Sequence, residues 1–142
     1  MWKQPVGDYP FWHVAYYVLF YCDFYLLHGS RSFRPQSFHR TDDHHFGFNA
    51  DGQPCVAGQS CDKATLQQYV EHCRTKIAEI VSAETEESLA GPSGCPWSSI
   101  PRAELFLVNI CHVHHHAVQL SIQLNKLAGI QVDWVGSGWK EL

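Results

Sequence analysis

The sequence predicts an all-α domain. Three stretches of the 142-residue chain repeat apolar residues at helical spacing, and no stretch alternates apolar and polar residues for long enough to indicate a strand. Apolar residues make up 45% of the chain and charged residues 17%, which excludes a disordered or low-complexity protein. We therefore expect one domain of packed helices over residues 1–142.

The first predicted helix begins at Pro10 and runs to about residue 28, where Gly29 supplies a stop. Its residues are apolar on nearly all sides, which is typical of a helix at the centre of a bundle. A membrane span is the alternative for residues 11–27. Because these residues include His13 and Asp23, which are costly in hydrocarbon, we expect a buried bundle helix and no membrane partner.

A long irregular connection, residues 29 to about 61, separates this helix from the second. Loops of this length in small domains often border a functional site. The second helix is predicted from about residue 63 to 82, with Ser60 or Asp62 as its N-cap. Its apolar residues follow helical spacing on one face (66, 69, 70, 73, 77, 80 and 81).

The third predicted helix is the longest and covers residues 102–128. Ser98 or Ser99, together with Pro101, opens it, and Gly129 ends it. Between the second and third helices, residues 83–100 form a short acidic segment and then a break rich in glycine and proline.

Three long helices leave one side of a bundle uncovered, because such bundles normally contain four. A second copy of the chain, or residues 83–100 and 134–139 folded back, would cover it. We expect a homodimer, because a bare first helix would expose a patch of aromatic side chains that monomers rarely tolerate: Tyr16, Tyr17, Phe20, Tyr21 and Phe24.

Charge and cysteine usage restrict the compartment and the partners. The formal net charge of −4 offers no basic excess for phosphates, so nucleic acid is not expected as a partner. Cys22, Cys73 and Cys111 fall within apolar helical patterns and are predicted to be buried, reduced thiols, whereas Cys55 and Cys61 either pair or are exposed. The N-terminal residues lack the pattern of a secretory signal, and we expect a cytoplasmic protein.

The histidines carry the functional signal, since the chain has 10 of them in 142 residues. His112 and His116 lie one helical turn apart and can bind one metal ion, whereas His114 lies about 200° around the helix and should face solvent. A solvated histidine tract is the alternative. His13 on the first helix would complete a three-histidine site with open positions, as in catalytic metal centres.

Two stretches resemble the DinB/YfiT-like superfamily of metal-binding four-helix bundles. Residues 12–15 run into an aromatic segment at 20–26, and residues 109–120 match the family signature His-x-x-His-His-x-x-Gln-Leu. The resemblance implies that His13, His112 and His116 hold a divalent metal, nickel or zinc. It also implies a bundle whose first helix is lacking or shortened, because the family usually has a full helix before the first ligand.

The resemblance implies two alternatives for function. One is a metalloenzyme, a hydrolase or a thiol transferase, whose metal activates a water or a low-molecular-weight thiol and whose substrate is a small thiol or electrophile. The other is a non-catalytic metal-binding or interaction module.

Overall fold

The computed structural model describes residues 1–27, 60–96 and 98–133. Along this part of the chain the elements are β1 (Pro5–Val6), β2 (Tyr9–Pro10), α1 (Phe11–Tyr25), α2 (Lys63–Ala83), α3 (Glu86–Ala90) and α4 (Arg102–Ala128). The prediction of an all-α domain is confirmed at the level of class. The predicted helix stop at Gly29, the connection at 29–59, Cys55 and residues 134–139 lie outside the described residues.

A small hairpin precedes α1, and the prediction that the chain contains no strand was wrong here. β1 and β2 pair antiparallel in the register Val6 opposite Tyr9, and the turn contains Gly7 at φ 63°. Two residues per strand are too few to show alternation in the sequence. Nearby, the indole Nε1 of Trp2 donates to the carbonyl oxygen of Cys61 at 2.7 Å, which ties the N-terminal residues to the start of α2.

Helix α1 lies at the centre of the fold and packs against both α2 and α4. Its buried face joins that of α2 in one core cluster, which includes Trp12, Tyr16, Phe20, Leu66 and Tyr69. The central position predicted from its apolar composition is therefore confirmed.

Helices α1 and α4 run antiparallel, and polar contacts mark three levels along them. The Arg102 guanidinium bonds the carbonyl oxygen of Leu26 at 2.6 Å at one end. Asn109 Nδ2 donates to the carbonyl oxygen of Cys22 at 3.0 Å in the middle. Gln123 Nε2 donates to the carbonyl oxygen of Pro5 at 2.6 Å at the other end.

The predicted boundaries of α2 and α4 are nearly all confirmed. Asp62, one of two predicted caps, accepts a bond from the Thr65 amide at 2.7 Å, and α2 extends one residue beyond the predicted end. Gly129 ends α4 in the left-handed conformation, with φ 66°. The prediction of a serine cap for α4 was wrong, because the N-cap is Pro101 and no side chain caps that helix.

Helix α1 ends at Tyr25 rather than near residue 28. Arg102, at the start of α4, donates to the carbonyl oxygens of Tyr25, Leu26 and Leu27. Its guanidinium group thus replaces the backbone N–H donors that a longer α1 would supply to these oxygens. The end of α1 is thus set by a residue 77 positions away in the chain.

A groove runs between α2 and α4 over α1, with a cavity of about 610 Å³ lined almost wholly by apolar groups. Ile77 of α2 is 40% exposed and Ile110 of α4 is 64% exposed at this groove. Val70, Ile77 and Val81 were predicted to share the buried face of α2, and that was wrong because α1 covers only part of the face. None of the described helices is long and apolar enough to cross a membrane.

Candidate metal centre

The two histidines predicted to share a metal do lie together on α4. The ring centroids of His112 and His116 are 4.7 Å apart, on the face of the helix that meets α1. The i, i+4 spacing that predicted this pair follows from the helix geometry alone.

Gln119 orients the second histidine of the pair. His116 Nδ1 lies 2.7 Å from Gln119 Oε1, and since the amide oxygen only accepts, Nδ1 carries the proton. In a neutral imidazole the lone pair is then on Nε2 of His116, which is the arrangement that binds metal. No role was predicted for Gln119, although it follows His116 by three residues, a spacing that brings two side chains together on one face of a helix.

His112 is the more enclosed member of the pair. Its Nε2 atom is buried and makes no hydrogen bond within the described part of the chain. Burial lowers the pKa of His112 to about 4, and His116 and His115 lower it further by charge repulsion. Burial also lowers the pKa of His116, although its bond to Gln119 opposes that shift. Both rings are therefore neutral at pH 7, the form in which histidine binds a metal.

Tyr17 of α1 packs against both histidines of the pair, and it was not predicted as a site residue. The Tyr17 ring centroid lies 5.4 Å from that of His112 and 5.3 Å from that of His116. Tyr21 and Tyr25, at successive turns of α1, also contact His112, at 5.6 and 6.0 Å. Spacing could have shown this row, because it continues from His13 at intervals of four residues.

These three phenols are neutral as well. Burial raises the pKa of Tyr17, with Tyr21 and Tyr9 adding to the effect, and burial raises the pKa of Tyr21. Burial, with smaller contributions from Tyr21, Tyr17 and Cys95, raises the pKa of Tyr25 to about 12. The walls around the histidine pair thus consist of uncharged aromatic rings that carry hydroxyl groups.

His13 lies deep in the fold, one turn of α1 before Tyr17. It is 1% exposed, and its ring contacts those of Tyr9 and Trp12 at 5.2 and 5.3 Å. Within the described ranges, no three histidine, cysteine or acidic side chains lie together so as to hold one metal ion. The structure therefore brings His112 and His116 together without His13, and the three-histidine site stays a prediction.

The remaining histidines of the tract are exposed, and His114 lines the apolar groove between α2 and α4. His114 is exposed, as predicted, and His115 is exposed with its ring 4.9 Å from that of His116. Cys111 is exposed too, so the prediction that it is buried was wrong. The apolar pattern around it does not produce burial, because α1 covers only one face of α4 at this level. Cys61 is a buried free thiol, so the prediction that it pairs or is exposed was also wrong.

Asp23, the acidic residue of α1, serves α2 and not the histidine pair. Its carboxylate is 1% exposed, accepts a bond from the Tyr69 hydroxyl at 3.2 Å and pairs with the Lys76 ammonium. His72 Nε2 lies 3.4 Å from the same carboxylate. Asp23 is consequently committed to a buried ion pair between α1 and α2.

Comparison with protein-family models, with curated proteins and with solved structures gave no match for this chain.

Proposed function

We propose that the chain is a metal-dependent enzyme on a helical bundle of the DinB/YfiT-like type, with nickel or zinc held by His13, His112 and His116. The observation that carries the proposal is the state of the α4 pair. His116 is held by Gln119 in the tautomer that binds metal through Nε2, and the buried Nε2 of His112 makes no hydrogen bond to any described residue. A buried imidazole nitrogen without a hydrogen bond is costly, and a metal ion would satisfy the Nε2 atom of His112.

Neutral imidazoles leave a divalent ion with its full positive charge. When bound, such an ion lowers the pKa of a coordinated water or thiol towards neutrality. The protein's own contribution is to hold His116 in one tautomer through Gln119 and to wall the pair with the uncharged rings of Tyr17 and Tyr21. We propose a small thiol or electrophile as substrate, in a hydrolase or thiol-transferase reaction.

A non-catalytic metal-binding or interaction module is the second candidate, and the position of His13 favours it. His13 contacts Tyr9 and Trp12, and it is not grouped with other metal-binding side chains in the described residues. Two histidines alone would hold an ion weakly and without the three-ligand geometry of catalytic zinc.

Metal titration of the purified chain, followed by calorimetry, tests both candidates. One zinc or nickel ion should bind per chain, and His112→Ala should weaken binding at least a hundredfold. His114→Ala is the matched control, because His114 belongs to the same tract but faces away from the pair. Equal losses in the two variants would mean that the tract binds metal without a built site, and would contradict the proposal.

His13→Ala separates the enzyme from the module. A hundredfold loss of affinity in His13→Ala, together with turnover of a thiol or electrophile that His112→Ala abolishes, is expected for the enzyme. Unchanged metal affinity in His13→Ala, together with no turnover of any thiol or electrophile in a panel by the unaltered chain, would contradict the enzyme and support the non-catalytic module.

We further propose that the protein is a cytoplasmic homodimer. The support for a dimer is the apolar groove between α2 and α4, where Ile77 and Ile110 are 40% and 64% exposed. Sedimentation at micromolar concentration should give twice the chain mass of 16.2 kDa, and a monomer would contradict the proposal.

A further inference from the structure

The outward face of α4 carries an apolar stripe that the described part of the chain leaves uncovered. Four large apolar residues of this stripe are well exposed: Leu107 at 63%, Ile110 at 64%, Val118 at 44% and Ile122 at 49%. His114 lies among them and is exposed as well. At about 100° per residue, these five positions fall within about 120° of the helix circumference and form one face. Ile110 and His114 also line the groove between α2 and α4, so the stripe is continuous with that groove.

The charged residues of α4 near this stripe stand only at its two ends. Residues 105–125 contain no Asp, Glu, Lys or Arg, and the charged residues that flank them are Glu104 and Lys126. The solvent-facing side of a helix normally carries charged side chains, and an apolar outer face marks a surface that a partner covers. The partner should therefore present a long apolar face that is itself free of charge along its middle.

The stripe is close to symmetric about His114. Ile110 and Val118 each lie four residues from it, and Leu107 and Ile122 lie seven and eight residues from it. If a second copy of α4 runs antiparallel with His114 against His114, Ile110 meets the partner's Val118 and Leu107 meets the partner's Ile122. Each of these four apolar residues then faces another apolar residue, as a self-complementary two-fold interface requires.

The two end charges follow the same symmetry. Glu104 and Lys126 lie ten and twelve residues from His114, and both are exposed. They fall on the same side of the stripe, at about 60° and 100° around the helix from Leu107. In an antiparallel helix pair, residues on one side of the contact face each other, so Glu104 of each copy meets Lys126 of the other. A parallel pair would set glutamate against glutamate, and a partner of different sequence would not need this symmetry.

We propose that two copies of the chain pack through this stripe with their α4 helices antiparallel. His114 of both copies lies at the two-fold axis, and Glu104 of each copy pairs with the partner's Lys126. This inference rests on the homodimer proposed above and states how its two copies meet.

Cysteine cross-linking tests the alignment of the two helices. In a Cys111→Ser background, His114→Cys should give a disulfide-linked dimer on mild oxidation, because the two copies of residue 114 meet at the axis. Asn125→Cys in the same background should stay unlinked, because the two copies of residue 125 would lie about 33 Å apart along the antiparallel helices. Asn125 is exposed on the same stripe, so a parallel pair would link this variant and overturn the proposal.

Charge reversal tests the contacts at the two ends. Glu104→Lys should weaken the dimer about tenfold at low salt, measured by sedimentation over a range of chain concentrations, because like charges then face each other across the interface. Adding Lys126→Glu to this variant should restore the dimer, a rescue that damage to the fold would not show. Glu86→Lys is the matched control and should leave the dimer unchanged, because Glu86 also lies in the first turn of a helix but belongs to α3.

Two outcomes separate this arrangement from the dimer itself. A monomer at micromolar concentration would overturn both the proposed homodimer and the way its copies meet. A dimer that His114→Cys does not link and Glu104→Lys does not weaken would overturn this arrangement alone, because the copies would then meet through another surface.

Discussion

Replacing Arg102 by alanine should destabilise the fold by about 3–5 kcal/mol, the cost of removing one partner of a buried ion pair. The Arg102 side chain is fully buried, and its Nε donates to Glu84 Oε1 at 3.0 Å. Its terminal nitrogens donate to the carbonyl oxygen of Tyr25, the last residue of α1, at 3.2 Å, and to those of the next two residues, Leu26 and Leu27, at 2.6 Å each. Arg102, the first residue of α4, thus bonds the carbonyl oxygens at the end of α1 and neutralises Glu84, the residue after α2.

The size of this destabilisation follows from the buried groups that would lose their partners in Arg102→Ala. The Glu84 carboxylate, 4% exposed, would lose its cation, and three carbonyl oxygens would lose their donors. A domain of this size is stable by about 5–15 kcal/mol, so the loss is a large fraction of the total. The stability of Arg102→Lys should lie between that of the unaltered chain and that of Arg102→Ala. The lysine keeps the positive charge, but its ammonium group cannot bond the carboxylate and the three carbonyl oxygens in the fork geometry of a guanidinium.

Urea denaturation followed by circular dichroism measures the loss. Arg74→Ala is the matched control, because Arg74 pairs with Glu71 at 3.9 Å while both side chains are 69% exposed, and it should change stability by less than about 1 kcal/mol. A loss of stability in Arg102→Ala no larger than that in Arg74→Ala would contradict this role of Arg102, and so would additive effects of Arg102→Ala and Glu84→Ala in a double-mutant cycle.

Three further changes test the metal centre and the end of α4. Gln119→Ala removes the acceptor of His116 Nδ1 and should weaken zinc binding about 10–100-fold by calorimetry. Because burial lowers the pKa of His112 to about 4, the metal-free protein should be fully stable above pH 6.5 and lose on the order of 1 kcal/mol as pH falls from 6.5 towards 4, measured in urea. Gly129→Ala should cost about 1–2 kcal/mol in urea, entirely from the left-handed backbone at φ 66°, because the added Cβ meets no atom within 4 Å.

Periodicity and caps predicted the elements whose signals are local. The bounds of α4 and the cap at Asp62 depend on residues within a few positions of each other, and both are confirmed. The hairpin before α1 and the early end of α1 were not predictable in this way. The first has too few residues per strand to show a pattern, and the second depends on Arg102, which is 77 positions from Tyr25.

The same distinction explains the candidate site. The pairing of His112 with His116 follows from one helix and is confirmed, whereas the partner from α1 depends on how two helices are aligned along their axes. Sequence spacing shows which residues share a face of α1, and His13 and Tyr17 do. It does not show which of the two stands opposite the pair.

That alignment is fixed by three polar contacts from α4 side chains to backbone oxygens. Arg102 bonds the end of α1, Asn109 bonds the carbonyl of Cys22, and Gln123 bonds the carbonyl of Pro5 before α1 begins. Sliding α1 by one turn, about 5.4 Å, to set His13 in the place of Tyr17 would break all three contacts.

A three-histidine centre must therefore form without such a slide, by rotation of the side chains of His13 and Tyr17. Metal binding should then leave the three backbone contacts intact while it moves the Tyr17 ring away from the pair. Tyr17→Phe should bind zinc as tightly as the unaltered chain, because the hydroxyl is no ligand in this arrangement. A loss of affinity in Tyr17→Phe equal to that in His112→Ala, with His13→Ala unchanged, would assign the α1 ligand to Tyr17 and refute the placement of His13.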